Sequence, residues 1–93
     1  MTHAEYVTTT HERVSLTECF ADVGLAAVAR SALGTVRHVQ LPDIGTKVEA
    51  GDHLGVVEGT QTAAEFYAPC AGRVVAVADA SASTSDWLVR LER

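Results

Sequence analysis

The sequence predicts an all-β domain, a β-sandwich or flattened barrel of short strands with one short helix. Three observations lead there. Apolar residues make up 47% of the 93 positions but aromatics only 5%, so a core must be assembled from many Val, Ala and Leu side chains. Short apolar runs recur between Gly, Pro and Asp turn signals. Only one stretch, Ala26 to Leu33, has the composition of a helix.

Taken in chain order, residues 1–13 read as an extended or partly disordered N-terminal arm containing Thr8-Thr9-Thr10, and residues 14–93 as the domain. Val14 to Val23 fits one or two short strands around Glu18. Ala26, Ala27, Val28, Ala29 and Ala32 favour helix, and Gly34 can end it because glycine tolerates the left-handed conformation. Val36 to Leu41 is a strand stopped by Pro42, which cannot donate to a ladder. Asp43-Ile44-Gly45 and Ala50-Gly51-Asp52 are turns. Further strands follow at Leu54 to Glu58, Glu65 to Ala68 and Gly72 to Ala78, then a polar loop from Asp79 to Ser85. Trp87, Val89 and Leu91 alternate with Leu88, Arg90 and Glu92 in a closing strand with one buried face. A faint echo between Gly34-Thr35-Val36 and Gly72-Arg73-Val74 suits a fold of two related halves.

Composition also excludes. A net charge of −5 without a basic cluster argues against nucleic acid, whose phosphates demand grouped Lys and Arg. No apolar run approaches the roughly 20 residues that span a bilayer, so no membrane partner is expected. Met1-Thr2-His3-Ala4-Glu5 has neither the basic start nor the apolar stretch of a secretory signal, and the expected location is the cytoplasm. His3, His11, His38 and His53 are scattered, and no metal site is expected. Cys19 and Cys70 lack CxxC spacing and read as reduced, partly buried thiols. Asp43 and Glu49 sit in turns as solvated acids, and no catalytic triad or phosphate loop is legible. The chain is not expected to be an enzyme.

The informative stretch runs from Leu41 to Val77 as strand, turn, strand, exposed hairpin, strand, turn, strand. Val48, Gly51, Asp52, Leu54, Val57 and Glu58 match, without a gap, the V-x-x-G-D-x-L-x-x-[VI]-E-x-x-K pattern of biotinyl and lipoyl carriers. Ala68, Pro69, Gly72 and Val74 match the A-P-x-x-G-x-V that follows it. Val23-Gly24-Leu25-Ala26, Leu33-Gly34, Leu41-Pro42-Asp43-Ile44-Gly45 and the hairpin Glu58 to Pro69 narrow the resemblance. They resemble the H protein of the glycine cleavage system, and Tyr6, His11 and Glu12 echo its Y-T-x-x-H-E-W start. The resemblance implies a lipoyl-domain-like flattened β-sandwich (barrel-sandwich hybrid) of two small sheets with one short helix, a carrier function and a larger enzyme as partner.

Two departures qualify what it implies. The position of the lipoylated lysine holds Gln61, whose amide is not nucleophilic, and the lone lysine, Lys47, falls in a turn far from the hairpin. No lipoyl or biotinyl cofactor is therefore expected. The segment before the closing strand is also short, Ala80-Ser81-Ala82-Ser83-Thr84-Ser85, where the family has a longer one.

The expected function is an unmodified docking or accessory protein for a larger enzyme, touching it through Glu58, Gly59, Thr60, Gln61, Thr62 and Glu65. Gln61 has two readings: a carrier decayed into a docking module, or a permanent neutral mimic of an acylated lysine. Glu58 reads either as a recognition residue or as a solvated strand end; Glu65 and Tyr67 lie on the outgoing strand, where Tyr67 reads as packing against apolar neighbours. Two alternatives come from other classes. Cys70 could carry an acyl or sulfur group as thioester or persulfide, with Arg73 three residues away. A pocket opened before Trp87 could bind a small ligand or catalyse a reaction. Unpaired sheet edges could also join two copies into a homodimer.

Overall fold

The computed structural model describes residues 4–78 and 87–93. Its elements are β1 (Ala4–Val7), β2 (Glu12–Leu16), β3 (Phe20–Leu25), α1 (Ala27–Leu33), β4 (Val36–Gln40), β5 (Lys47–Val48), β6 (His53–Gly59), β7 (Ala63–Tyr67), β8 (Gly72–Val77) and β9 (Val89–Glu92). They form a six-stranded sheet in the order β1-β2-β3-β9-β8-β5 and a three-stranded sheet in the order β4-β6-β7. Neighbours are antiparallel throughout both sheets.

Alternation explains the packing. Along β3, Ala21, Val23 and Leu25 are buried while Asp22 is half-exposed; along β9, Val89 and Leu91 are buried and Glu92 is exposed. These side chains meet Leu54, Val57 and Phe66 of the small sheet, Val74 of β8 and Leu33 of α1 in one shared core. Arg90 fixes the outer face of the β3–β9 pair. Its guanidinium donates to both oxygens of Asp22, at 2.7 and 3.0 Å, and lies 5.0 Å from the Phe20 ring centre. The hydrogen bonds to Asp22, then its charge, raise the Arg90 pKa further above its ordinary value.

Helix α1 starts without a side-chain cap at Ala26, and Gly34 ends it at φ 76°. Seven residues cannot sustain a helix alone, so its stability comes from Leu33 in the core and from its two anchored ends. At one end, the Ala26 N–H donates to the His11 carbonyl at 2.8 Å.

Three expectations change. The extended N-terminal arm is not separate from the sheet: Ala4–Val7 pairs with β2, and the division at residue 13 falls inside β2. Lys47 lies not in a turn but in the two-residue strand β5, opposite Arg73 of β8. Cys19 is exposed rather than partly buried, in the β2–β3 turn. The Asp79 to Ser85 loop and the shortened segment lie outside the described residues. Among the described residues, no helix is long and apolar enough to cross a membrane.

Candidate functional site

Strands β6 and β7 bring the hairpin residues together. Glu58 pairs with Ala63, and the Gly59 N–H donates to the Thr62 carbonyl at 2.9 Å, leaving Thr60 and Gln61 at the apex. The apex does not project freely. The Thr60 N–H donates to the Thr35 carbonyl at 2.9 Å, the Gln61 N–H to the Leu33 carbonyl at 3.0 Å, and the Thr35 N–H to Thr60 Oγ1 at 3.2 Å. The carbonyl of Leu33 and the peptide groups of Thr35, unsatisfied at the end of α1, are thereby used to hold the hairpin.

Two glycines permit this approach. A Cβ on Gly59 would stand 2.1 Å from the Leu33 carbonyl oxygen, and one on Gly34 would stand 2.5 Å from Thr60 Oγ1 and 2.8 Å from Gln61 Cγ. The aliphatic stem of Gln61 thus lies across Gly34, while Glu58, Thr60, Gln61 and Thr62 remain exposed. Chemically, the apex offers hydroxyls and one carboxamide. These can donate and accept hydrogen bonds but supply neither a nucleophilic amine nor an acid–base group at neutral pH.

Tyr67, expected to pack against apolar neighbours, instead forms a polar cluster with Glu65 and His53. Tyr67 Oη donates to Glu65 at 3.4 Å, His53 Nε2 lies 3.4 Å from Glu65 Oε1, and the His53 and Tyr67 rings meet edge to face at 5.6 Å. Cross-strand register explains it, since His53 stands opposite Tyr67 and Glu65 is two residues along the same strand. The Glu65 charge, with smaller help from desolvation, the Glu65 hydrogen bond and Glu12, pushes the Tyr67 hydroxyl above its ordinary pKa.

Glu12, placed by the sequence in the N-terminal arm, is the most buried carboxylate among the described residues, at 2% exposure. The hydroxyls of Thr8 and Thr10 each donate to Oε1 at 2.5 Å, and the Glu12 N–H donates to Thr8 Oγ1 at 3.0 Å. Oε2 is buried and has no hydrogen-bond partner. The signal was present in Thr8-Thr9-Thr10-His11-Glu12, a run of hydroxyls leading to an acid, but only the turn that folds it back reveals the burial. His11 enables that turn with a positive φ of 67°.

Cys70 is a free thiol, partly buried against the hydrophobic core. Arg73 is exposed, and its guanidinium lies 3.9 Å from Glu92. A cleft of about 400 Å³ opens beside α1, walled by Leu25, Leu33, Val36, Val39, Val57 and Leu88, with Arg30, Ser31 and Gly34 also lining it. Leu33 and Gly34 belong to both the cleft wall and the seat of the hairpin apex.

A sequence model of the glycine cleavage H-protein family matches residues 5–90, a span that runs from within β1 into β9 and includes α1 and the hairpin. The chain belongs to the glycine cleavage H-protein family. A glycine cleavage system H protein of Legionella pneumophila is 40% identical over 95 aligned positions, covering 91% of this chain and 76% of the relative. One from Mycolicibacterium smegmatis is 47% identical over 73 positions, covering 77% of this chain and 56% of the relative. The crystal structure of the H protein from Mycobacterium marinum superimposes with a TM-score of 0.79 at 28% identity, covering 99% of this chain and 85% of that one. The two-sheet H-protein architecture is therefore retained around an apex that reads Thr60-Gln61-Thr62.

Proposed function

We propose that this chain is a docking or accessory member of the H-protein family, unmodified at its hairpin apex, that serves a larger enzyme. One observation carries the reading: the apex keeps a fixed shape, held by three hydrogen bonds to the end of α1, around a residue that cannot be acylated. Lipoate, which the family bears on a lysine, needs a nucleophilic side-chain amine. Gln61 supplies a carboxamide, and Lys47 lies in the other sheet beside Arg73. The residues present at the apex do not fit an amide-linked lipoyl group. What remains is a rigid, uncharged apex flanked by Glu58 and Glu65, a surface suited to recognition rather than to carriage or catalysis.

Intact-mass measurement after co-expression with a lipoyl ligase and lipoate tests this. The wild type keeps its unmodified mass, and Gln61→Lys gains one lipoyl group; a lipoyl adduct on the wild type overturns the reading. Docking is tested by binding to the purified enzymes of the glycine cleavage system. Glu58→Lys and Thr60→Tyr weaken a tip-mediated complex. Gln61→Ala separates shape from a carboxamide that imitates an acylated lysine, since only the second role depends on the amide.

The cleft supports a second reading, a small-ligand site. About 400 Å³ lined mainly by aliphatic side chains, with Arg30 and Ser31 contributing polar groups, falls within the range of small-molecule pockets. Val57→Trp fills the cleft, and loss of a ligand-induced thermal shift in that variant identifies it.

A further inference from the structure

We infer that Lys47 and Arg73 form a second docking contact, one that takes an acidic segment of a partner protein. The chain carries 7 Lys and Arg residues against 12 Asp and Glu, so two adjacent cations stand out on it. Strand β5 places Lys47 directly opposite Arg73 of β8. The Val74 N–H donates to the Thr46 carbonyl at 2.9 Å, which makes the next pair along, Lys47 and Arg73, a non-hydrogen-bonded one. That arrangement brings opposed side chains closest. Both residues are exposed, and alternation with buried Val48 and Val74 puts them together on the outer face of the large sheet. Like charges directly opposed across a ladder are destabilising. Among the described residues Lys47 has no ion pair. Arg73 reaches only Glu92, at 3.9 Å between half-exposed side chains, a contact of little worth.

Edge protection explains half of this pair. A lysine on a border strand discourages strand addition, and β5 borders the large sheet. Arg73 protects no edge, because β8 lies between β9 and β5. The occupant follows from the donors at hand. A small oxyanion is held by converging amides, as at a helix terminus or a nest. Here the adjoining turn has spent its amides. The Gly45 N–H donates to the Val74 carbonyl at 2.7 Å, the Thr46 N–H to the Asp43 carbonyl at 3.2 Å, and the Glu49 N–H to Asp52 Oδ2 at 2.8 Å. What remains is a planar fork for one carboxylate and an ammonium for another. Neighbouring carboxylates of an acidic segment fit that pair of donors. The described residues break off at Ala4, on the opposite border of this sheet, and at Ala78 and Trp87, beyond the Val77–Val89 end of the β8–β9 pair. Arg73 and Glu92 mark the other end. The hairpin apex is remote as well. Val48 leads through the Glu49–Asp52 turn to the start of β6, and the apex follows the far end of that strand, about 20 Å on. The contact therefore stands or falls independently of the docking reading of the apex.

Titration of the isotope-labelled full chain with an oligoglutamate peptide at low ionic strength, followed by amide NMR shifts, tests this. The amides of Thr46, Lys47, Gly72 and Arg73 shift together, half-saturated at about 1 mM peptide. Those of Thr60, Gln61 and Thr62 stay still. Lys47→Gln and Arg73→Gln each weaken binding about threefold, within the range of exposed ion pairs. Lys47→Arg retains it, and Arg37→Gln, on exposed β4 of the other sheet, leaves it unchanged. Salt at about 1 M removes the shifts by screening. Four results overturn the inference: no saturable shift up to about 10 mM peptide, binding that survives both Gln substitutions, equal weakening by Arg37→Gln, or inorganic phosphate saturating the same amides at a lower concentration than the peptide.

Discussion

At the scale of single residues, the neighbourhood of Glu12 and Tyr67 shows how charge is managed where the N-terminal turn meets the core. Thr8 does double service there, donating to the buried carboxylate and accepting from the Glu12 amide. Thr8→Val should therefore cost about 1.5–3 kcal/mol, the range for hydrogen bonds to charged groups, measured by urea denaturation. Tyr67 is governed mainly by Glu65. A phenol whose folded pKa is raised binds its proton more tightly in the native state. Its contribution is thus complete below the ordinary value near ~10 and is lost as pH rises through the higher folded value. In a Tyr6→Phe background, absorbance titration should place the Tyr67 transition above that ordinary value, and Glu65→Gln should return it most of the way. Residue chemistry of this kind was only partly legible in the sequence. Gln61 at the apex could be read directly because its neighbours hold a local pattern. The burial of Glu12 and the His53–Glu65–Tyr67 cluster depend on a turn and a cross-strand register that no local pattern encodes.

Among the elements, the apex of β6–β7 and the end of α1 form one unit. Residues separated in sequence by about one strand pair are tied through Thr35, Leu33, Thr60 and Gln61. Gly59→Ala should break this tie, since its methyl group would have to displace the Leu33 carbonyl. The expected outcome is a faster amide exchange at Thr60 and Gln61, by about tenfold or more for each ~1.4 kcal/mol lost locally, with the protection of β3 and β9 unchanged. Equal loss of protection everywhere would mean that the apex is not a separable unit. The elements themselves were mostly legible, because alternation and glycine or proline punctuation are local signals. The helix at Ala27–Leu33, the strand Val36–Gln40 before Pro42 and the β6–β7 hairpin all appear within one or two residues of where those signals put them. Strand β5 was not legible, since two residues cannot show a period and only pairing with β8 defines it. Strand β1 was read as an arm for a similar reason: its residues are all exposed, so no apolar alternation marks it.

For the whole molecule, the decisive feature is the place of β9. The last strand in the chain lies in the middle of the six-stranded sheet, between β3 and β8, and joins the N-terminal half of the chain to the C-terminal half. Local patterning announced a strand with one buried face, but its two neighbours are set by long-range pairing and could not be deduced. The consequence is an asymmetry between the two ends. Val89 and Leu91 are fully buried and Leu88 nearly so, and burial of three such side chains contributes about 1.5–3 kcal/mol each. That sum is comparable to the whole stability of a small domain, about 5–15 kcal/mol. Strand β1, in contrast, is exposed throughout and has one neighbouring strand among the described residues. Removal of residues 1–7 should thus leave a cooperatively folding domain that retains Thr8 and Glu12, whereas removal of residues 87–93 should abolish cooperative unfolding. Leu91→Ala alone should cost about 2–5 kcal/mol, the range for emptying a packed core site. Thermal unfolding followed by circular dichroism distinguishes these outcomes. A cooperative transition after loss of β9 would show that the two halves of the sheet hold together without their central strand, and the role assigned to it here would be wrong.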